Sequence, residues 1–534
     1  MSYSNQNVFN TILAQRPNRN TFNLSHDVKM SFKMGCLVPT CWIDCVPGDA
    51  FNISVENMLR FAPLVSPVMH AIHVNTYFFF VPNRLVWDGF EDWIRGEDDA
   101  PAPPYLNSTN EAVTEGSLAD YLGIPPGIPS GIDFDAMPFA AYWLIWSEWF
   151  RDQNLQETDE FVQPDNGPQS SVYESLMSDP PKKRAWEHDY FTSALPWAQK
   201  GDAVTLPLTD DADVLVQLSG NNAAGQIRNA SDGSLASPSA GIVLRNDGGD
   251  FTFGNTSPYD EVFYDPADTL KVSINENAVS VNALREAFRL QEFLELDAMG
   301  GTRYTELIFT HFGVRSKDAR LNRPELIGSF RGTMTISEVL QTAPGFNNVD
   351  DAGSPTPLGT MAGHGISVNG GRGLNYYATE HGIIMGLINV QPRTAYQQGL
   401  ARKWSRFTDR FNYYWPKFAH IGEQEVLNQE LYVDAATPTG TFGYVPRYSE
   451  YKYECSRVAG SFRDSLSYWH MGRIFASEPA LNADFVQADP TTRIFAVEFV
   501  DGEEGPYTAD QLFGHIFNNV HASRLMPRYG RPMI

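Results

Sequence analysis

Cysteine is scarce in this sequence: four among 534 residues, too few for a disulfide scaffold and in keeping with a reducing compartment. Three of them, Cys36, Cys41 and Cys45, are clustered, but with spacings of five and four and no Cys-x-x-Cys they read as buried structural thiols, not metal ligands. Long apolar runs are also missing. Tyr77–Val81 and Ile383–Leu387 are far too short to span a bilayer. The N-terminus has no charged start followed by an apolar stretch, so the expectation is a soluble chain, made without export and without membrane insertion. Catalytic signatures are absent: there is no phosphate-binding Gly-Lys-Ser/Thr, no His-Glu-x-x-His and no Gly-x-Ser-x-Gly. Gly363–Gly373 (GHGISVNGGRG) neither follows a strand nor opens a helix in the pattern, so it reads as a loop. Base is the minority charge, 39 Lys and Arg against 64 Asp and Glu for a net −25, the opposite of a DNA-binding domain. No enzyme, cofactor or metal is expected from this inventory.

What is present is aromatic and β-forming. Phe, Tyr and Trp make up 13% of the chain, enough for a large core and for extensive subunit contacts. His70–Val81, Thr305–Val314, Gly382–Val390, Tyr451–Phe462 and Arg493–Val500 carry strand composition, and Pro or Gly punctuates most gaps. With no βα alternation, a mainly β sandwich with elaborated loops is expected. Asp135–Phe150 places Phe139, Tyr142, Trp143, Trp146 and Phe150 at helical spacing, with Asp135 as cap and Pro138 in the first turn. Val281–Met299 is a second helix, with Leu284, Ala287, Phe288, Phe293 and Leu294 on its apolar side and Gly300-Gly301 ending it. Ser54–Phe61 is a shorter helical candidate.

One region differs in kind. From Trp197 to Phe251 no aromatic residue intervenes, and residues 201–270 hold eleven acids against two bases. Such a segment buries little of its own surface. It reads as an acidic surface excursion inserted between core elements, in which Val214–Leu218 and Gly241–Leu244 would pair as hairpin strands. Asp210-Asp211-Asp213, within it, and Glu97-Asp98-Asp99 read as solvated loop carboxylates. The chain ends reverse the charge. Arg16, Arg19, Lys29 and Lys33 face Asp27 alone in residues 1–43, and Arg524, Arg528 and Arg531 face no acid in residues 511–534. Basic ends on an acidic chain suit arms that meet a polyanion; solvated surface charge is the competing reading.

Several stretches carry a resemblance: Arg16–Phe22 (RPNRNTF), Leu24–Thr40, Pro47–Ala50 (PGDA), His73–Trp87 (HVNTYFFFVPNRLVW), Tyr190–Lys200 (YFTSALPWAQK), Ala283–Ala287 (ALREA), Gly300–Leu326, Tyr396–Leu400 (YQQGL), Tyr414–Glu425 (YWPKFAHIGEQE), Phe442–Tyr451 (FGYVPRYSEY) and Tyr468–His470. In this order the chain resembles the major capsid protein of microviruses, in the gokushovirus branch. The resemblance implies an eight-stranded antiparallel jelly roll with long, partly helical insertions, forming one domain over residues 1–534. It also implies a T=1 icosahedral shell of sixty copies around a circular single-stranded DNA. Residues 201–270 then correspond to the variable insertion that protrudes at the threefold axes, with a host surface receptor as its partner; the resemblance supplies no residue-level site, and Asn221, Asn222, Arg228, Asn229 and Asp232 are the residues expected near the tip. The further partners implied are a small basic DNA-packaging protein and pilot and scaffolding proteins, with assembly in the bacterial cytoplasm. Arg16, Arg19, Lys29, Lys33, Arg524, Arg528 and Arg531 would face the genome. Trp404, Tyr413, Tyr414 and Trp415 would supply subunit contacts, unless they pack in the core. The rival reading is a glycan-binding or polysaccharide-degrading β-protein, which would form no closed shell.

Overall fold

The computed structural model describes residues 18–109, 111–157, 163–201, 281–315, 317–340, 361–371, 373–496 and 510–529, with residue 204 and six short strands between 217 and 271. It is mainly antiparallel β-sheet. Eleven strands make the two principal sheets: β1 (Asn20–Asn23), β2 (His26–Phe32), β3 (Val38–Cys45), β4 (Ala50–Phe61), β5 (Ile72–Pro82), β6 (Glu325–Thr333), β7 (Thr335–Leu340), β8 (Met361–Gly370), β9 (Leu374–Tyr377), β10 (Gly382–Pro392) and β11 (Leu512–Arg524). In the first sheet β1 and β2 lie on β11, followed by β4, then β8 with β9, then β7. The second sheet runs β6-β5-β10-β3.

Alternation along the strands builds two cores. Phe51, Ile53, Val55, Leu59 and Phe61 of β4 face Phe78 and Phe80 of β5 and Ile384, Ile388 and Val390 of β10 inside the sandwich. The other face of the second sheet presents Phe79, Val81, Ile383, Met385 and Leu387 to a helical layer. Every residue of β10 is therefore buried, which is why Gly382–Ile388 is an unbroken apolar run; Asn389 beyond it is buried too, its amide donating to the Gly35 and Cys36 carbonyls. The helical layer is α1 (Met137–Ile145), continued by one π-turn, Trp146–Phe150. Tyr142, wholly buried, donates its hydroxyl to the Leu37 carbonyl at 2.8 Å. Asp135 stays in a short strand against Tyr105–Asn107. Ala136 is therefore the N-cap, and the Asp135 carboxylate accepts the Met137 N–H from one position earlier than expected.

A third core gathers Tyr190, Phe191, Tyr396, Val426, Phe442, Val445 and Phe485 around the hairpin of Glu423–Leu427 and Thr441–Pro446. Its hub is polar. The buried Asp189 carboxylate accepts the N–H groups of Phe191 and Thr192 and the Tyr396 hydroxyl, at 2.7–2.9 Å. Such a buried acceptor is tolerated because both carboxylate oxygens find donors.

Several expectations are corrected. Ser54–Phe61 belongs to β4, because its burial alternates with period two. Thr305–Val314 is not a strand: Tyr304–Phe312 forms α3, the Glu306 carboxylate accepting the Arg303 N–H at 3.2 Å and Gly313 ending the helix in the left-handed region. Tyr451–Phe462 holds one end of the Ser449–Lys452 helical turn and a 3₁₀ turn with irregular chain between them, anchored by the Tyr448–Tyr451 ring contact. Arg493–Ala496 is a turn that buries Ile494 and Phe495, and 497–500 lie outside the described residues. Most of Gly363–Gly373 is strand β8, not loop. Its glycines allow close approach: a Cβ on Gly363 would stand 2.2 Å from the Ser66 carbonyl oxygen, and one on Gly365 2.3 Å from the Phe61 ring.

The chain divides into two compact units, residues 1–200 with 295–534, and Gly201–Leu294. In the second unit three strand pairs are nested: Gln217-Leu218 with Leu270-Lys271, Gln226–Asn229 with Val262–Asp265, and Val243–Asp247 with Asp250–Gly254. The expected pairing of Val214–Leu218 with Gly241–Leu244 is thus replaced: Gln217-Leu218 pairs with Leu270-Lys271, and Val243-Leu244 with Phe253-Gly254 in the ladder closed by Asp247 and Asp250, while 214–216 and 241–242 lie outside the described residues. Helix α2 (Val281–Met299) has the expected bounds. Along its apolar side Leu284, Ala287 and Leu294 are half-buried, and Phe288 and Phe293 are exposed.

Candidate functional site

The pairing of β1 with β11 sets Asn20 opposite Arg524 and so brings the two basic chain ends together. The guanidinium groups there turn toward the protein. Arg19 donates to the carbonyls of Ser523 (2.9 Å) and Gly48 (2.6 Å). Arg524 donates to the Asp44 carbonyl at 2.6 Å and stands 3.3 Å from the Asp49 carboxylate, which is 1% exposed. The same carboxylate accepts the Val46 N–H at 3.1 Å, and the Phe51 ring lies 5.7 Å from the Arg524 guanidinium. On the outer side of the first sheet, Lys29 pairs with Asp27, which also meets His515 at 3.1 Å. The hydrogen bonds from Lys29 and then His515 hold the Asp27 carboxyl down at about 2. Lys33 and Arg528 are exposed. Arg16 and Arg531 lie outside the described residues. Two of the seven basic residues therefore share one cluster, a juxtaposition set by strand register between segments some 500 positions apart and hidden from local sequence.

Of the expected protrusion residues, Arg228 and Asn229 lie in the strand Gln226–Asn229, opposite Phe263 and Val262. Asn221, Asn222 and Asp232 lie outside the described residues, as does Asp210-Asp211-Asp213. Glu97 pairs with Arg95 at 3.2 Å. Burial pushes the thiols up, to about 11 for Cys36 and about 12 for Cys41, Cys45 and Cys455, so all four are neutral. No three His, Cys, Asp or Glu side chains among the described residues are grouped to hold a metal ion.

The surface that local reading undervalued is Arg402–Phe418. It folds as successive 3₁₀ turns, Arg402–Trp404, Arg406–Thr408, Arg410–Asn412 and Pro416–Phe418. None of these turns buries a side chain. Trp404, Phe407, Phe411, Tyr413, Tyr414 and Trp415 are all exposed, so core packing is ruled out for Trp404, Tyr413, Tyr414 and Trp415. The available signal was the interleaving of five cations with these rings against the single acid Asp409.

Next to this surface, Glu423 begins the hairpin with both carboxylate oxygens buried and without a hydrogen-bond donor among the described residues. Burial, opposed by Lys452 and reinforced by Glu295, pushes its carboxyl up to about 7. A folded-state value above the ordinary one means that the neutral acid favours the fold. That stabilisation is complete below about 4.5 and is lost as pH rises through about 7. Glu423→Gln is therefore expected to raise the melting temperature at pH 8 and to change it little at pH 5. An equal effect at both pH values would refute this assignment.

The described residues make a mainly β chain with three aromatic-rich cores, four neutral thiols and many exposed rings. The chain belongs to the family described as capsid protein (F protein), which it matches over residues 10–534. It is 34% identical to the capsid protein VP1 of Bdellovibrio phage phiMH2K, over 99% of this chain and 98% of that one. With the capsid protein VP1 of Chlamydia phage 1 it shares 32% identity over 99% and 97%, and with that of Spiroplasma virus 4, 29% over 96% and 95%. The similarity to microvirus capsid proteins read from the sequence is thereby established. The chain is a component of a phage virion whose role is assembly into a multi-copy shell. No helix among the described residues is long and apolar enough to cross a membrane.

Proposed function

We propose that sixty copies of this chain close a T=1 icosahedral shell around a circular single-stranded DNA genome, assembled in the host cytoplasm. The observation that carries the reading is the end-to-end similarity to capsid proteins. Strand order supports it. Eight strands fall into two four-stranded sets, β2-β11-β4-β8 and β3-β10-β5-β6. In each set strands distant in sequence are neighbours, as expected where two Greek keys wrap into a jelly roll. Its rim loops are free to lengthen, and the acidic excursion at residues 201–270 is read as the protrusion at the threefold axes that meets a host surface receptor. Exposed Lys33 and Arg528, with Arg19, Lys29, Arg16 and Arg531, are the residues proposed to face the genome. Because the chain as a whole is acidic, a small basic packaging protein would share that task; pilot and scaffolding proteins are the remaining proposed partners.

The test compares the full chain with a variant lacking residues 221–232, each expressed with its phage neighbours. Particle mass is read by sedimentation, and attachment by binding to host cells. Sixty chains of 59.7 kDa give roughly 3.6 MDa. Closed particles from both chains, with attachment lost only in the variant, are expected. A full chain that stays monomeric would overturn the shell, and a variant that cannot close particles would make the excursion an assembly element.

A further inference from the structure

We propose that Arg402–Phe418 is a platform for single-stranded nucleic acid, its exposed rings stacking on bases and its cations holding phosphates. The proposal rests on the reading that the shell encloses a single-stranded genome. Its basis is the way this surface is built. Phe407 is 77% exposed and Trp404 65%, and Phe411, Tyr413, Tyr414 and Trp415 farther along the segment are exposed as well. A concentration of exposed rings in one short segment marks an interaction site.

The cations are arranged around the rings. The Arg406 guanidinium lies 5.0 Å from the Tyr413 ring centre and 4.9 Å from that of Tyr451, and Arg410 lies 4.7 Å from that of Phe411. Among the described residues Arg402 and Lys403 have carboxylate partners, Glu430 and Glu454, whereas no ion pair engages Arg406, Arg410 or Lys417. The segment's one acid, Asp409, is used as a cap, accepting the Phe411 N–H at 3.0 Å.

The platform is also held in place. Trp415 donates its indole N–H to the Arg410 carbonyl at 2.9 Å, and Tyr414 packs edge-on against Tyr448 at 5.0 Å. A preorganised surface loses little conformational freedom on binding.

Charge decides which partner this surface fits. Aromatics and arginine are common to subunit contacts as well; what favours a polyanion is that the segment holds five cations against one acid and that, among the described residues, no carboxylate pairs with Arg406, Arg410 or Lys417. Here cations sit between the rings, the pattern of surfaces that stack successive bases beside a basic track. A second copy of the chain is the competing occupant.

The experiment measures binding of the purified full chain to fluorescent dT20 by anisotropy across a sodium chloride series. Four forms are compared: wild type, Trp404→Ser with Phe407→Ser, Arg406→Gln with Arg410→Gln, and the conservative Phe407→Tyr. Unchanged thermal unfolding confirms that each is folded. Loss of the rings is expected to weaken binding roughly 10–100-fold with the salt slope kept. Loss of the cations should flatten the slope by about 1.4, at about 0.7 for each phosphate contact. Phe407→Tyr should bind as wild type. Wild-type affinity and slope in both double variants would overturn the platform. So would variants that bind dT20 normally but no longer close shells, which would assign the surface to a second copy. DNA content of wild-type particles separates the two levels. Empty particles would sink the genome reading itself, while filled particles with unaltered variants would overturn the platform alone.

Discussion

Replacing Arg524 with alanine is expected to destabilise the subunit by about 3–5 kcal/mol, the loss typical when one partner of a buried ion pair is removed. The cause lies in what is left behind. The Asp49 carboxylate is 1% exposed, and apart from the Val46 N–H its compensation comes from the Arg524 guanidinium 3.3 Å away. The Asp44 carbonyl would lose its donor as well. Asp49→Asn in the same chain should restore part of the loss, because the uncompensated charge is gone. Arg528→Ala, on an exposed side chain, should stay within about 0.5 kcal/mol of wild type. Denaturant midpoints of the four chains measure all of this. An Arg524→Ala chain as stable as wild type that packages less DNA would instead make Arg524 a genome-facing residue. The expected result gives Arg524 to the fold and leaves the exposed cations of the ends to meet the polyanion.

The elements legible in the sequence are those whose own periodicity decides their structure. β5 and β10 announce themselves because burial on both faces demands strands dominated by aromatic, β-branched and other apolar residues, as in Tyr77–Val81 and Ile383–Ile388. The bounds of α2 follow from helical spacing ended by paired glycines. Where a strand composition met helix punctuation, as in α3, the Arg303–Glu306 cap and the left-handed Gly313 won. β8 was illegible because its glycines are selected by neighbours from elsewhere in the chain, Ser66 and Phe61. The candidate surfaces divide in the same way. The charge reversal at the chain ends was plain in the sequence, yet the pairing of Arg524 with Asp49 beside Arg19 depends on register. The 402–418 rings were noticed as aromatic, but only exposure separates a binding surface from a core. The apolar stripe of α2 shows the converse: spacing found the stripe, yet Phe288 and Phe293 on it are exposed.

Phe79→Ala is expected to have an effect as large as Arg524→Ala, by a different route. Phe78 and Phe80 point into the sandwich, so Phe79 necessarily points the other way, into the helical layer. There it is fully buried, with ring centres 5.3 Å from Trp149 and 5.9 Å from Phe150. Truncation removes the transfer free energy of the ring and leaves a cavity between β5 and the π-turn, a combined cost of about 3–5 kcal/mol. The surroundings are poorly placed to collapse into it. Phe150 is already held edge-on by Tyr77 at 5.0 Å, and the Trp149 indole donates to the Pro324 carbonyl at 3.1 Å. Phe79→Leu, which keeps most of the volume, should cost less than about 1.5 kcal/mol. Phe407→Ala, which removes the same ring from an exposed position, should leave the denaturant midpoint almost unchanged. If Phe79→Ala and Phe407→Ala were equally mild, Phe79 would not be what joins the second sheet to its helical layer. A large loss confined to Phe79 would mean that a subunit of typical stability, about 5–15 kcal/mol, draws a substantial share of it from one seam. The insertions packed beyond that seam could then vary without disturbing the sandwich beneath.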